Sequence, residues 1–247
     1  SPLAPRHGLW HTRWPASAKK SVSEGATDLR APGVAGSVPS TVVHVGVAAI
    51  LAATLLADDL TPRRAGLVLA AAAVPDLDTF VGLAVTGAHR ALLHTLLFPL
   101  LLAALLAVDA RQTGLVRARY GRAGVRTAWV AVAAVALGGV APDLLTNGVN
   151  LFYPLHDEFI SMNGRLVLSN QRGVVQTFVD ISPDRSVQNT SNTAYFTGID
   201  PEPRTPGAET RQRVERVFPV VGSGLQLLFV VLGAGTLTAR LIEVRGQ

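Results

Sequence analysis

Long apolar runs, interrupted by a few ionisable residues, constrain the fold of this chain more than any other feature. Five runs stand out among the 247 residues, at positions 38–57, 65–85, 91–108, 127–142 and 218–239. A helix that crosses the hydrocarbon core of a bilayer needs about 17–25 mainly apolar residues, and most of these runs reach that length. We therefore expect an all-α multi-span membrane protein built on a bundle of about five transmembrane helices.

The composition agrees with this expectation and excludes several classes of function. Hydrophobic residues make up 49% of the chain and charged residues 16%, and the mean hydropathy is +0.34. The chain has no cysteine, which excludes disulfides, zinc fingers and thiol nucleophiles. The net charge of +5 comes with no basic stripe interleaved with aromatic residues, so no nucleic-acid partner is evident.

The chain divides into five predicted regions. Residues 1–37 are polar and rich in Pro, Gly and Ser, which predicts a disordered tail. Residues 38–142 form a four-helix transmembrane core that carries the candidate site, and residues 143–217 form an extramembrane loop region. Within that region "NGRLVLSNQRGVVQTFVDI" alternates apolar and polar residues around turn formers, which predicts a β-hairpin. Residues 218–239 form the fifth transmembrane helix, and residues 240–247 form a short tail.

Arginine predicts the orientation of the bundle. The loops after the first and third runs and the C-terminal end, all on one side of a five-span arrangement, contain Arg63, Arg64, Arg111, Arg117, Arg119, Arg122, Arg126, Arg240 and Arg245. Basic loops stay in the cytoplasm, so the other face is extracytoplasmic. Lys19 and Lys20 in the polar tail argue for the opposite orientation. We give the loops more weight and expect a multi-pass protein of the plasma membrane.

Six ionisable residues in and beside the first four apolar runs fall at the predicted extracytoplasmic face, opposite the arginines. They lie at the start of the first run, the end of the second, the start of the third and the end of the fourth: His44, Asp76, Asp78, His89, His94 and Asp143. Helices that alternate in direction bring these positions together. Imidazole and carboxylate ligands suit Zn²⁺, Mn²⁺ or non-haem iron. The set is large enough for two ions, with Asp76 or Asp78 bridging them.

Such a site predicts hydrolysis. A divalent ion lowers the pKa of a bound water towards neutrality, and Asp76 or Asp78, if it is not a ligand, can act as a general base. Arg90 beside His89 can hold an anionic oxygen such as that of a phosphate ester. The expected partners are membrane lipid and a phosphoester or phospholipid substrate.

Each residue also has a plainer interpretation. A histidine near a helix end is more often solvated or hydrogen-bonded than bound to a metal, and an aspartate after proline is often a helix cap. The alternatives at the level of function are an ion or proton transporter and a non-catalytic membrane scaffold whose hairpin binds a partner.

Four motifs occur in a fixed order: His44-x-Gly46, "PDLD" at 75–78, "HRALLHT" at 89–95 and "PDLLTNGVNLFYP" at 142–154. Together they resemble the YdjM-type family of membrane-bound metal-dependent hydrolases over about residues 42–154. The resemblance implies metal-site residues at His44, Asp76, Asp78, His89, His94 and Asp143. It implies further polar positions at Arg90, Thr95 and Thr146. The family is distantly similar to zinc-dependent phospholipase C and P1-type nucleases, which cleave phosphate esters, and this similarity agrees with a water nucleophile and with Arg90 as the anion holder. We expect zinc first and manganese second.

The chain departs from the family pattern at one place. The family commonly has Ser-His four to five residues before the last aspartate of the pattern, where this chain has Gly138 and Gly139. Three explanations stay open: the site holds fewer ions, water or His156 replaces the lost ligand, or this branch has lost activity.

Overall fold

The computed structural model describes residues 40–85, 87–164, 166–171, 173–176, 178, 187–193, 195, 197–199 and 218–246. The polar tail predicted at 1–37 lies outside these ranges. The described residues are mostly helical. Seven α-helices lie in this part of the chain: α1 Thr41–Leu55, α2 Pro62–Ala73, α3 Asp78–Gly82, α4 Leu97–Val108, α5 Leu115–Ala133, α6 Ala141–Leu144 and α7 Gly224–Arg245.

Tighter and wider helical turns connect several of these helices. Short 3₁₀ turns at Ala57–Asp59 and Pro75–Leu77 follow α1 and α2. A π-helical stretch at Ala134–Val140 joins α5 to α6. Such stretches are rare and occur often beside functional sites.

The predicted β-hairpin is confirmed as a small antiparallel sheet. Its two strands are β1 Leu166–Ser169 and β2 Gly173–Gln176, in a register that pairs Val167 with Val175.

The predicted number of five transmembrane helices is not supported. By length and composition, two helices among the described residues can cross a membrane: Leu115–Leu144 and Gly224–Arg245. The pair Pro62–Ala73 and Pro75–Gly82, bent by 45°, makes a third if it is one span. In contrast, α4 has 12 residues, which extend about 18 Å, whereas the hydrocarbon core is about 30 Å thick.

The third predicted run is shortened because its first residues are not helical. Arg90 has a φ of +64°, which no α-helix accommodates, and the chain between His89 and Leu96 follows irregular turns. The helix of the fifth run begins later in the chain than predicted. Ser223 caps α7 by accepting a hydrogen bond from the amide of Gln226, so the helix begins six residues later than predicted.

An apolar core of mostly small residues holds α1, α2 and α5 together. Its buried members are Ala48, Ala52, Leu56, Leu60, Ala65, Val68, Ala72, Val130 and Ala134. At one end of this core, which we call the arginine end, Arg126 lies 3.4 Å from Asp59. The first residues of α1, the last of α2 and α6 lie at the other end. The core therefore separates the arginine end from the candidate site.

A glycine contact lets α7 pack closely on α1. A Cβ added to Gly233 would lie 2.1 Å from the carbonyl oxygen of Gly46, so a larger residue there would push the helices apart. Gly46 is two residues from His44, so this contact also fixes one side of the candidate site.

Candidate metal centre

Four predicted site residues converge at the end of the core opposite the arginine end. His44, Asp76, His94 and Asp143 each offer one ligand atom, and these atoms all lie within 4.8 Å of one another. His44 Nε2 lies 3.4 Å from Asp76 Oδ1, and His94 Nε2 lies 3.0 Å from Asp143 Oδ2. The described residues therefore contain a His/Asp cluster that can hold a metal ion.

Hydrogen bonds at the far side of each ring turn both imidazoles towards the centre of the cluster. His44 Nδ1 lies 2.8 Å from the carbonyl oxygen of Gly138, which can only accept, so Nδ1 carries the proton and a neutral His44 keeps its lone pair on Nε2. His94 Nδ1 in the same way lies 2.9 Å from Asp78 Oδ2. Both Nε2 atoms are buried, and neither makes a hydrogen bond of good geometry, although His94 Nε2 lies 3.0 Å from Asp143 Oδ2. Two imidazole nitrogens that face carboxylates in this way fit a bound cation, which would satisfy both kinds of group.

Access to the cluster lies on the side of Asp76. His44 and His94 are fully buried and Asp143 is 2% exposed, whereas the Asp76 side chain is 22% exposed. Asp76 also accepts a hydrogen bond from Thr41 at the start of α1. Water or substrate can therefore reach the cluster past Asp76.

Asp78 lies behind the cluster and orients His94. Its Oδ2 accepts hydrogen bonds from His94 Nδ1 and from the backbone amides of Arg90 and Leu93. Its Oδ1 lies 2.9 Å from Nδ1 of His89. The carboxylate is thus fully engaged, as is typical of residues that hold a ligating histidine in place. The structure brings His89 to Asp78 and Thr79, outside the group of four.

Arg90 is fully buried and faces Asp143. One of its terminal nitrogens, Nη2, lies 2.8 Å from Asp143 Oδ1, and Nη1 donates to the carbonyl oxygen of Gly148. The ring of Tyr195 covers the guanidinium group at 4.9 Å. This arrangement favours a role in orienting Asp143, and the predicted capture of a substrate oxygen stays a prediction.

A polar cover formed by residues 147–160, 187–193 and Tyr195 lies beside Arg90, and of these the sequence motifs pointed only to residues up to 154 and to His156. Asn150 donates its amide hydrogen to the carbonyl oxygen of Arg90, and Asp157 accepts hydrogen bonds from Asn150 and Thr190. Tyr195 donates to the carbonyl oxygen of Asn147. Tyr195 could not be recognised from the sequence, because it lies over 100 residues from Arg90 and belongs to no motif.

This packing shifts the pKa values of two groups of the cover, Asp157 and Tyr195. Burial raises the pKa of Asp157, but hydrogen bonds from Thr190 and Asn150 more than offset it, so that its pKa lies below the ordinary value. Burial raises the pKa of Tyr195, against the opposing effect of Arg90. His156 is 62% exposed and pairs with Glu158, and it does not belong to the group of four.

The two glycines that replace the family's Ser-His are enclosed by helix packing. A Cβ added to Gly139 would lie 2.8 Å from the carbonyl oxygen of Ala72 and from Pro75 Cγ. Gly138 lies against α1, and its carbonyl oxygen accepts the hydrogen bond of His44. No side chain fits at Gly139 without moving α2 or the turn that follows it.

Comparison with known proteins identifies the family. No curated protein and no solved structure matches this chain. The family model described as YdjM inner membrane protein matches residues 40–199, which is more than half of the 247 residues and contains all six predicted site residues. This match confirms the resemblance drawn from the four motifs, and the chain belongs to the YdjM inner membrane protein family.

Proposed function

We propose that this chain is a membrane-bound metal-dependent hydrolase that cleaves a phosphoester such as a phospholipid headgroup. The observation that carries the proposal is the convergence of four ligand atoms from His44, Asp76, His94 and Asp143, with both histidine Nε2 atoms buried and turned towards carboxylate oxygens. A two-histidine, two-carboxylate set suits zinc best, with manganese second.

We assign the residues as follows. His44, Asp76, His94 and Asp143 would hold one ion, which when bound would lower the pKa of a coordinated water towards neutrality. Asp76 is the partly exposed member and is where water and substrate enter. Asp78 fixes the ring of His94, and Arg90 fixes the carboxylate of Asp143. A single ion is favoured because the oxygens of Asp78 are engaged by protein donors.

The surroundings of Asp76 favour an amphiphilic substrate. Leu77 and Phe80, which follow Asp76 in the chain, are exposed apolar residues, and both lie in the bent helix pair that is a candidate span. A substrate that brings a phosphate to the cluster and a hydrocarbon chain to these residues is a lipid. With the arginine end in the cytoplasm, the cluster faces the extracytoplasmic side of the inner membrane.

Transport is less favoured. A transporter needs polar groups that line a path between the two faces. Among the described residues, the core between the cluster and the arginine end is apolar. The scaffold alternative predicts partner binding that survives loss of the cluster.

The test is metal-dependent hydrolysis by the purified full-length chain in detergent. Bis-p-nitrophenyl phosphate and phosphatidylglycerol are offered after chelation and again after addition of zinc or manganese. We expect chelation to abolish hydrolysis and added metal to restore it. Asp76→Ala should lose the activity. The control His156→Ala, which removes a histidine outside the cluster, should keep it. Activity that persists in Asp76→Ala, or no hydrolysis by the metal-loaded chain, would contradict the proposal.

A further inference from the structure

The first half of α5 forms an exposed basic surface at the arginine end. Arg117, Arg119, Arg122 and Arg126 are all exposed. Arg126 pairs with Asp59 and is still 48% exposed. Among the described residues, no acidic partner pairs with the other three. Within the part of the chain that the structure describes, the charge of these three arginines is therefore not neutralised.

The neighbouring loop adds to this charge. Residues 58–64 and 109–126 together contain seven arginines and three aspartates, with no lysine or glutamate, an excess of four positive charges. Two of the aspartates are engaged within the protein. Asp109 accepts hydrogen bonds from the amides of Leu115 and Val116, and Asp59 pairs with Arg126.

A backbone break lies within this basic surface, between Arg119 and Arg122. Gly121 has φ 69° and ψ −169° within α5, a conformation that is essentially limited to glycine. Before the break, Tyr120 is 65% exposed and its ring lies 5.5 Å from the guanidinium of Arg119. After the break, exposed Trp129 follows within the candidate span Leu115–Leu144. Exposed Tyr and Trp beside an apolar span are typical of the level of lipid headgroups.

We propose that this surface, formed by Arg117, Arg119, Arg122 and Arg126, binds the phosphates of anionic phospholipids. Guanidinium groups pair with phosphate oxygens through two parallel hydrogen bonds, and clusters of basic residues next to a span attract anionic headgroups. A membrane fits this surface better than a nucleic acid, because the arginines continue directly into an apolar helix with interfacial aromatic residues. The inference is independent of the metal centre at the other end of the core.

The test compares lipid binding by the full-length chain in detergent. Native mass spectrometry during titration with phosphatidylglycerol or phosphatidylcholine gives an apparent Kd for each lipid. The variant Arg119→Gln/Arg122→Gln removes two charges beside the break at Gly121. The control Arg240→Gln/Glu243→Gln removes an ion pair from α7 and leaves the net charge unchanged. A third variant, Arg119→Lys/Arg122→Lys, keeps the charge.

We expect phosphatidylglycerol to bind more tightly than phosphatidylcholine, and its apparent Kd to rise about tenfold or more in Arg119→Gln/Arg122→Gln. The control should bind like the unmodified chain, the lysine variant should keep most of the affinity, and salt should weaken binding. Equal binding of the two lipids, equal loss in the α5 variant and the α7 control, or displacement of the lipid by a short RNA duplex would each overturn the proposal.

Discussion

Two aspartates separated by a single leucine have different environments. Asp76 offers Oδ1 to the centre of the cluster, whereas Asp78 accepts hydrogen bonds from His94, Arg90 and Leu93. Asp78→Asn should therefore weaken zinc binding by about 10–100-fold, because His94 loses its ionised partner. Asp76→Ala should weaken zinc binding further, because it removes a ligand.

Competition with a fluorescent zinc chelator measures both affinities. If Asp78→Ala weakens zinc binding as much as Asp76→Ala, Asp78 acts as a ligand, as the motif alone predicts. If Asp78→Asn binds zinc as tightly as the unmodified chain, Asp78 does not orient His94.

Arg90 and Asp143 form a buried ion pair in which neither charge reaches water. Arg90→Leu leaves the carboxylate buried without its cation, and such a loss typically costs about 3–5 kcal/mol of unfolding free energy. Arg90→Leu/Asp143→Leu should be less destabilised than Arg90→Leu alone, because no charge is left unpaired. Equilibrium unfolding of the three proteins in detergent measures this, and a cost below about 1 kcal/mol for Arg90→Leu would show that the pair is not structurally important.

The motifs predicted which residues meet but did not distinguish ligands from their supports. A pattern such as "HRALLHT" gives residue types and spacing, and these are the same for a histidine that faces the cluster and one that faces Asp78. The distinction depends on ring orientation, which is set by Gly138 on another helix. Tyr195 lay beyond prediction for the same reason, since its contact with Arg90 exists only in the folded chain.

Two glycines, Gly46 and Gly233, let α1 and α7 pack closely against each other. Gly233→Ala would place a methyl group 2.1 Å from the carbonyl oxygen of Gly46 if the helices did not move. It should therefore destabilise the protein by about 1–3 kcal/mol through overpacking. Gly235→Ala on the same helix is the matched control, because a Cβ there meets nothing within 4 Å. It should be neutral or slightly stabilising.

Thermal unfolding of the two alanine variants in the same detergent checks this prediction. Zinc affinity is a second measurement, since His44 lies on the helix that Gly233→Ala displaces. Equal stability of the two variants would mean that the helices do not pack through this contact.

The polar cover should loosen in acid. The pKa of Asp157 is lower in the folded chain than its ordinary value of about 3.9. The stabilisation from its hydrogen bonds is therefore fully present above about pH 4 and is lost as the pH falls through the lowered pKa. Hydrogen exchange of residues 187–193 against pH measures this loosening. Asp157→Asn should exchange faster at neutral pH and lose the acid-dependent step, and an unchanged profile in this variant would contradict the account.

Hydropathy was a good guide to where helices occur in the chain. It was a poorer guide to which of those helices can cross a membrane. The runs at 38–57 and 91–108 are mainly apolar, yet the helices there have 15 and 12 residues. The helix of the third run starts late because residues 91–96 follow irregular turns after Arg90, which has a positive φ. The hairpin was predictable because strand alternation and turn residues are local signals.

At the scale of the whole molecule, the two ends of the helical core have opposite chemistry. One end gathers histidines and aspartates, and the other gathers arginines, with an apolar core between them. The alternating directions of successive helices predicted this division from the sequence, although the predicted number of five spans is not supported. The substrate was not predictable from the sequence, because it depends on what approaches Asp76.

Metal content of the purified full-length chain tests the central claim most directly. Inductively coupled plasma mass spectrometry is applied to the unmodified chain, to Asp76→Ala/His94→Ala and to His156→Ala, each purified without chelator and then equilibrated with equimolar zinc and manganese. The account predicts about one equivalent of metal, with zinc preferred, in the unmodified chain and in His156→Ala, and almost none in the double variant. Metal retained by Asp76→Ala/His94→Ala, or none bound by the unmodified chain, would contradict it.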